Sequence, residues 1–167
     1  MSKTQEDLKA AFAGESQANR KYLAFAKAAE KEGKTNLAKL FRAVAEGETI
    51  HALKHFTNMG EVKDSTSNLK AAIAGETYEV ETMYPGFIAD ADAEGEKAAG
   101  MGFHGAYEVE KIHQQEFMKA LATVEGGIDI DGQKYFVCQI CGKLELGEAP
   151  EFCSICKAPK ASFNEIV

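Results

Sequence analysis

Apolar positions between residues 4 and 31 recur at three- and four-residue steps, through Leu8, Phe12, Tyr22, Phe25 and Ala29. The pattern predicts a helix with Thr4 as N-cap, Asp7 in a capping-box position and Gly33 as its stop. A second helix is predicted over about 35–59, with Leu37, Leu40, Phe41, Val44, Glu48, His51 and His55 on one face and Gly60 closing it. After the polar stretch from Glu61 to Ser65, a third helix starts near Thr66 or Ser67 and presents Leu69, Ile73, Glu76, Val80 and Met83. Pro85 should kink it or shift its register. Gly95 marks the next break. A fourth helix over about 97–125 presents Phe103, Tyr107, Glu110, His113, Phe117 and Leu121. Past Gly126-Gly127 the composition changes, and Ile128-Asp129-Ile130-Asp131-Gly132 and Tyr135-Phe136-Val137 read as short strands around turns. The expected division is a helical domain over residues 1–127 and a small domain over 133–167.

Each helical face is interrupted by acid. Glu15, Glu48, Glu76 and Glu110 stand among apolar residues, and Glu79 follows one turn after Glu76. Rolling a helix until its Glu meets water accounts for one such residue, but poorly for four. Two of the four begin a Glu-x-x-His, Glu48 to His51 and Glu110 to His113. Positions i and i+3 share a helix face, so each pair aims a carboxylate and an imidazole at one point. A Glu from each of two further helices completes the two-metal carboxylate site of ferritin-like four-helix bundles. Without cations, burying these carboxylates together would cost many kcal/mol.

The helical part is also an internal repeat. Ala13-Gly14-Glu15-Ser16 matches Ala74-Gly75-Glu76-Thr77 at an offset of 61, and Tyr22/Tyr84, Gly33/Gly95, Glu48/Glu110 and His51/His113 match at 62. Two helix pairs are thus copies related by a pseudo-two-fold axis. Glu79 has Ala18 in the corresponding place, so it is a seventh ligand that breaks the symmetry. Carboxylates with two imidazoles suit iron or manganese. Glu48 and Glu110 are central, as bridges, and Glu15 and Glu76 terminal. Tyr22 and Tyr84 lie about two turns from Glu15 and Glu76, where a hydrogen bond to a carboxylate and a packing role are equally compatible with the spacing. His55 and His104 read as helix-end or surface residues, and Glu46, Glu81, Glu108 and Glu116 as solvated.

Composition narrows the function classes. Hydrophobic residues make up 45% of the 167, enough for a real core. A net charge of -7 supplies no basic footprint for nucleic acid. The polar N-terminus and the absence of a long apolar run predict a cytoplasmic chain with no membrane partner. All four cysteines, Cys138, Cys141, Cys153 and Cys156, fall in two C-x-x-C pairs, which favours a four-thiolate metal site over disulfides. Structural zinc and rubredoxin-type iron share that spacing. Tyr135, Phe136, Phe152 and Phe163 are expected to pack this small domain, which needs a metal staple.

Taken together these motifs resemble rubrerythrin. The resemblance rests on Ala-Gly-Glu-Ser, Glu-Gly-Glu-Thr-Ile-His, Ala-Gly-Glu-Thr-Tyr-Glu-Val-Glu-Thr-Met-Tyr-Pro and Glu-Val-Glu-Lys-Ile-His, with Cys-Gln-Ile-Cys-Gly and Ala-Pro-Glu-Phe-Cys-Ser-Ile-Cys-Lys-Ala-Pro-Lys at the C-terminus. It implies an all-α ferritin-like four-helix bundle with a small rubredoxin-like four-cysteine domain. It implies a di-iron site on Glu15, Glu48, His51, Glu76, Glu79, Glu110 and His113, and one further iron on Cys138, Cys141, Cys153 and Cys156, where zinc can substitute. By position, His51 and Glu79 would be the pair that exchange on one iron as the centre is oxidised, and Tyr22 and Tyr84 match the family's supporting tyrosines. The implied activity is a peroxidase, reducing hydrogen peroxide to water for oxidative-stress protection, with electrons relayed through the four-cysteine iron from rubredoxin or an NAD(P)H-dependent reductase. The rivals are a ferroxidase or iron-storage protein, and a two-metal binding protein with a zinc ribbon. One departure is visible: the second cysteine knuckle has Ser154 and Lys157 where Cys-Pro-x-Cys-Gly is common.

The repeat also bears on assembly. It makes helices 2 and 3 parallel, and about 12 residues of helix 2 beyond Glu48 rise ~18 Å, while about ten of helix 3 before Glu76 rise ~15 Å. Residues 60–66 span at most ~25 Å against the ~33 Å required. The expected solution is a domain-swapped homodimer, or a higher assembly, in which helices 1–2 of one chain complete the site with helices 3–4 of another.

Overall fold

The structure is a computed structural model that describes residues 2–167; Met1 of the predicted helical domain lies outside them. The chain forms two compact units, Met1–Lys63 and Asp64–Val167.

The first unit is a helical hairpin of α1 (Lys3–Lys31) and α2 (Thr35–Asn58). The cap of α1 is Ser2 rather than Thr4: Ser2 Oγ accepts the Gln5 N–H at 3.3 Å. Capping one residue pair earlier places Thr4 inside the first turn, where Asp7 takes the Lys3 ammonium at 2.8 Å instead of closing a capping box. Gly33, at φ +74°, lets the Lys34 N–H turn back to the Ala29 carbonyl at 2.8 Å. The seam between the helices is built from alanines, with Ala26, Ala38 and Ala45 fully buried, so the backbones come close. Inside it, Asn19 donates Nδ2–H to the Ala45 carbonyl at 2.7 Å and to Thr49 Oγ1 at 2.8 Å. The predicted core face of α2 is only partly covered: Leu37, Leu40 and Val44 are exposed, Leu40 at 57%.

The second unit begins with α3 (Ser65–Tyr78). Asp64 caps it, accepting the Ser67 N–H at 2.9 Å and Ser67 Oγ–H at 2.7 Å, so the helix starts just ahead of the predicted Thr66 or Ser67. It passes through a π-helical segment, Glu79–Met83, into α4 (Tyr84–Glu94), with Pro85 in the first turn of α4. This is the register shift expected at Pro85. Proline lacks the N–H that a continuing α-ladder would need, and the Tyr84 N–H reaches back five residues to the Glu79 carbonyl. Gly95, at φ +73°, makes the turn into α5 (Lys97–Val124), against which both α3 and α4 pack.

The four-cysteine region is a three-stranded antiparallel sheet, β1 (Tyr135–Cys138), β2 (Leu144–Leu146) and β3 (Phe163–Ile166), in the order β2-β1-β3. The stretch Ile128–Gly132 is not a strand. Its Ile130 N–H is taken by the Asp129 carboxylate at 2.8 Å in place of a neighbouring strand. Cys138, Ala149, Cys153, Ala158 and Phe163 form the core, with Phe136 packed against it. Phe152, expected inside, is 67% exposed.

Candidate metal centre

Among the described residues three clusters of donor atoms have mutual distances within 4.8 Å. One lies on the first hairpin, where α1 supplies Glu15 and α2 supplies Glu48 and His51. His51 Nδ1 is 3.1 Å from Glu48 Oε2 and 4.0 Å from Glu15 Oε1. The second joins Glu76 of α3 to Glu110 and His113 of α5, with His113 Nδ1 2.7 Å from Glu110 Oε2. The i, i+3 spacing thus brings each carboxylate and imidazole together, and the equivalent helix in each repeat brings the third donor. Glu79 stands outside the second cluster, yet Glu110 and His113 act on it electrostatically.

The second cluster has the electrostatics of a cation site. Glu76 Oε2 is buried with no hydrogen-bond partner. Burial first, and the Glu110 carboxylate second, push the Glu76 carboxyl up to about 7. Burial and then Glu110 also raise Glu79. Three crowded carboxylates beside one imidazole are costly together, and a divalent ion relieves both the repulsion and the orphaned oxygen. The donor set therefore fits two hard, oxygen- and nitrogen-bound metals, one per Glu-x-x-His.

Tyr84 packs in an aromatic group and lies within the field of the second cluster's carboxylates. Its ring meets Phe87 edge-on at 6.3 Å and lies 6.5 Å from Phe103, while burial first, then Glu110, Glu79 and Glu76, hold its phenol above the usual range. Tyr22 sits in an aromatic group with Phe25 and Phe41, at 6.2 and 6.4 Å. His55 is half-buried near the end of α2 and His104 is exposed beside Tyr107, both outside the clusters. Glu108 and Glu116 are only partly solvated: Glu108 binds Lys111 at 2.7 Å and Glu116 binds Lys119 at 2.6 Å.

Two features go beyond what helix periodicity shows: the burial of Asn19 and the exact place of the π segment. Asn19, the buried polar tie of the first hairpin, was passed over because a lone Asn carries no periodic signal. The π segment did leave a trace: the repeat offset is 61 at Ser16/Thr77 and 62 at Tyr22/Tyr84, so one residue is added between Thr77 and Tyr84. Glu79–Met83 is where the helix absorbs it, and Glu79 opens that segment.

The third cluster is the four cysteines. Cys138 and Cys156 sulfurs are 3.6 Å apart, as are those of Cys141 and Cys153. A disulfide needs about 2.05 Å. Four thiolates around a tetrahedral ion at about 2.3 Å stand about 3.8 Å apart, close to what is found. The knuckles repeat one backbone pattern, with Cys138 N–H to the Lys143 carbonyl at 2.9 Å and Cys153 N–H to the Ala158 carbonyl at 2.8 Å. Burial pushes the Cys141 thiol up to about 12. Burial also opposes ionisation of Cys153, but the Cys156 and Ile155 N–H groups and neighbouring thiols outweigh it and draw Cys153 down to about 7.

Fold and sites together define a helical protein with two carboxylate–imidazole clusters and a separate four-thiolate cluster. The comparisons with known proteins agree. Residues 6–121 match the family model for rubrerythrin, and residues 136–164 that for the rubrerythrin rubredoxin-like domain. Rubrerythrin-2 of Clostridium acetobutylicum is 37% identical over 96% of this chain and 95% of its own. Nigerythrin of Nitratidesulfovibrio vulgaris is 36% identical over 96% of this chain and 85% of its own. The solved all-ferrous, fully reduced nigerythrin superposes with a TM-score of 0.58 at 35% identity, covering 99% of this chain and 88% of that one. The chain belongs to the rubrerythrin family. Its cofactors are those of that family, a di-iron site and a rubredoxin-like four-cysteine site. Among the described residues no helix is long and apolar enough to cross a membrane.

Proposed function

We propose that this chain is a non-haem di-iron peroxidase that reduces hydrogen peroxide to water. The observation that carries the reading is a four-thiolate centre in the same compact unit as a carboxylate–imidazole cluster. An iron-storage or ferroxidase protein has no need of such an electron inlet. Glu15, Glu48, His51, Glu76, Glu79, Glu110 and His113 hold the two irons, with Glu48 and Glu110 as bridges. Cys138, Cys141, Cys153 and Cys156 hold the third. When bound, the iron pair supplies Lewis acidity and two electrons for cleaving the O–O bond, and the thiolate iron relays single electrons.

The protein's own groups prepare that chemistry. Glu79 and His51 are alternative ligands to one position. Glu79 is suited to holding a proton on its carboxylate oxygen, because burial and then Glu110 favour its neutral form. The Tyr22 and Tyr84 phenols orient neighbouring carboxylates. The working division is a di-iron domain over 1–127 and a relay domain over 133–167, in the cytoplasm, supplied by rubredoxin or an NAD(P)H-dependent reductase. Mixing anaerobically reduced protein with peroxide or with oxygen tests the activity. Faster oxidation by peroxide is expected, and faster oxidation by oxygen would instead mark a ferroxidase.

The site is completed by a domain-swapped homodimer. Each three-donor cluster is built within one unit, and the apolar face of α2 is exposed around it. From Glu48 to the end of α2 at Asn58 the rise is ~15 Å, and from Ser65 to Glu76 it is ~16 Å. The link between Asn58 and Ser65 reaches ~25 Å at most, short of the ~31 Å that one bundle from one chain demands. A chain carrying Glu15→Ala and Glu48→Ala, co-assembled with one carrying Glu76→Ala and Glu110→Ala, should regain one intact di-iron site per mixed dimer. No regained site would sink the swap.

A further inference from the structure

Ser154 and Lys157, the residues that set the second cysteine knuckle apart, meet at one place. A cavity of about 670 Å³ opens between that knuckle and α5. Ser154, Ile155 and Cys156 line it from the knuckle, and Met101, His104, Gly105 and Glu108 from the helix. Its volume lies in the range of pockets that take small ligands. Lys157 donates its ammonium to the Ser154 carbonyl at 2.9 Å, so a positive charge is held beside the cavity wall. Lys157 does so at φ +61°, where glycine would be unstrained. Glu108 is neutralised by Lys111 at 2.7 Å. The helix wall is as unusual. Gly105 sits inside α5, where glycine costs about 1 kcal/mol against alanine. No clash demands it, since a side chain begun there would meet nothing within 4 Å. Its copy in the first helix pair, 62 residues earlier, is Ala43. The wall is therefore flat and open at Gly105. Met101, 72% exposed, and the His104 ring, set at 76° to Tyr107, stand on the same wall.

We propose that this cavity binds a reduced flavin, such as flavin mononucleotide, and passes its electrons singly to the four-cysteine iron. It is a small-molecule inlet beside any protein donor. Apolar walls, a polarisable thioether and an open glycine floor suit a planar aromatic ring. The Lys157 ammonium and the Ser154 hydroxyl suit a ring that carries negative charge and carbonyl oxygens, as the flavin hydroquinone does. A nicotinamide fits less well, because it gives a hydride, two electrons at once, and a thiolate iron accepts one. Cys156 lines the same cavity and belongs to the four-thiolate cluster, so the ring lies next to a sulfur of the acceptor. In each step the hydroquinone anion loses one electron and becomes the neutral flavin radical, and the ferric iron becomes ferrous. No bond forms or breaks and no proton moves. The radical leaves, and two such radicals disproportionate in solution to one oxidised and one reduced flavin. The inference rests on reading the four cysteines as an iron centre, but it does not require peroxide to be the substrate.

Binding is read first, from the quenching of flavin mononucleotide fluorescence on titration with the intact, iron-loaded protein. Saturable binding of one flavin per chain is expected. Gly105→Leu, which fills the open space, should weaken it at least about tenfold, or about 1.4 kcal/mol. Leucine is the better helix former, so thermal melting of this variant should not fall below that of the natural chain. Lys157→Gly removes the cation at a place where glycine is unstrained. It should weaken binding about fivefold and abolish most of its salt dependence. Transfer is read second, by mixing photoreduced flavin mononucleotide anaerobically with the ferric protein and following the loss of the ferric–thiolate visible band. The rate should saturate with flavin concentration in the natural chain and rise linearly in Gly105→Leu. Absence of saturable binding, or unchanged affinity in both Gly105→Leu and Lys157→Gly, would overturn the proposal. Failure of the peroxidase reading would show separately, as reduced protein that peroxide leaves unoxidised.

Discussion

The two carboxylate–imidazole clusters come from copies of one helix pair, and they have diverged. The His51 side chain is 59% exposed and the His113 side chain 28%. The first cluster rests on a continuous 29-residue helix, whereas its counterpart is α3, a π segment and α4 in succession. The helix pairs are tied differently too. Asn19 reaches across the first to Ala45 and Thr49, while Gln114 donates to Thr77 Oγ1 at 2.8 Å in the second. The second copy has gained a carboxylate at the inserted turn and a cysteine domain against α5. A duplicated scaffold has become asymmetric by one added residue and one appended domain, while the Glu-x-x-His geometry has stayed the same.

The largest effect is expected from erasing the insertion. Deleting Glu79 makes the repeat offset uniform and should return the segment to an α-helix. Two irons should still bind on the six remaining ligands. Their Mössbauer signals should converge toward one environment, and oxidation by peroxide should slow at least about tenfold. Two resolved iron environments in the deletion would detach the asymmetry from the π turn.

The charge crowding in the second copy gives a pH signature once metal is removed. The Glu76 carboxyl is raised in the fold, so the folded state holds its proton longer than the unfolded chain does. Metal-free protein should therefore lose stability as pH rises from about 4.5 to about 7, and level off above. Thermal melts of Glu76→Gln should lack that slope. A slope that survives the substitution would assign it to other groups.

The interhelical ties should rank by burial. Asn19→Ala removes two hydrogen bonds at a 7% exposed site, and urea unfolding should show a loss of about 2–3 kcal/mol. Thr77→Val breaks only the part-buried Gln114 bond, for about 1 kcal/mol. Equal losses would mean that burial does not set the difference. The smallest effect concerns another pair of copies, the cysteine knuckles. Gly142 has φ +84° in the first, and Lys157 takes φ +61° in the second, the only non-glycine residue among those described with positive φ. Lys157→Gly should stabilise the knuckle by up to about 1 kcal/mol, read as slower loss of iron to a chelator.

Much of this could be read from the chain itself. Both Glu-x-x-His motifs, the third Glu of each cluster and the two C-x-x-C pairs are local or repeated patterns, and helix periodicity and knuckle geometry turn such patterns directly into positions. The Lys157 departure was legible for the same reason, since a knuckle demands a left-handed residue at that place. Ser2 displaced Thr4 as cap because either residue can cap and only the start of the hydrogen-bond ladder selects between them. Ile128–Gly132 alternates like a strand, yet its Ile130 N–H is taken by the Asp129 carboxylate and not by a neighbouring strand.

The sequence by itself determined the helices, the donor set and the repeat, because these depend on periods of a few residues and on side-chain chemistry. Only the tertiary structure decided that Asn19 is buried, that Glu76 Oε2 is left unpartnered, and that Val109 is buried while the next residue, Glu110, meets Glu76 and His113. Those facts arise where one element covers another, and the covering residue is distant in the chain. No local pattern records which face of α5 a sheet assembled some thirty residues later will occupy.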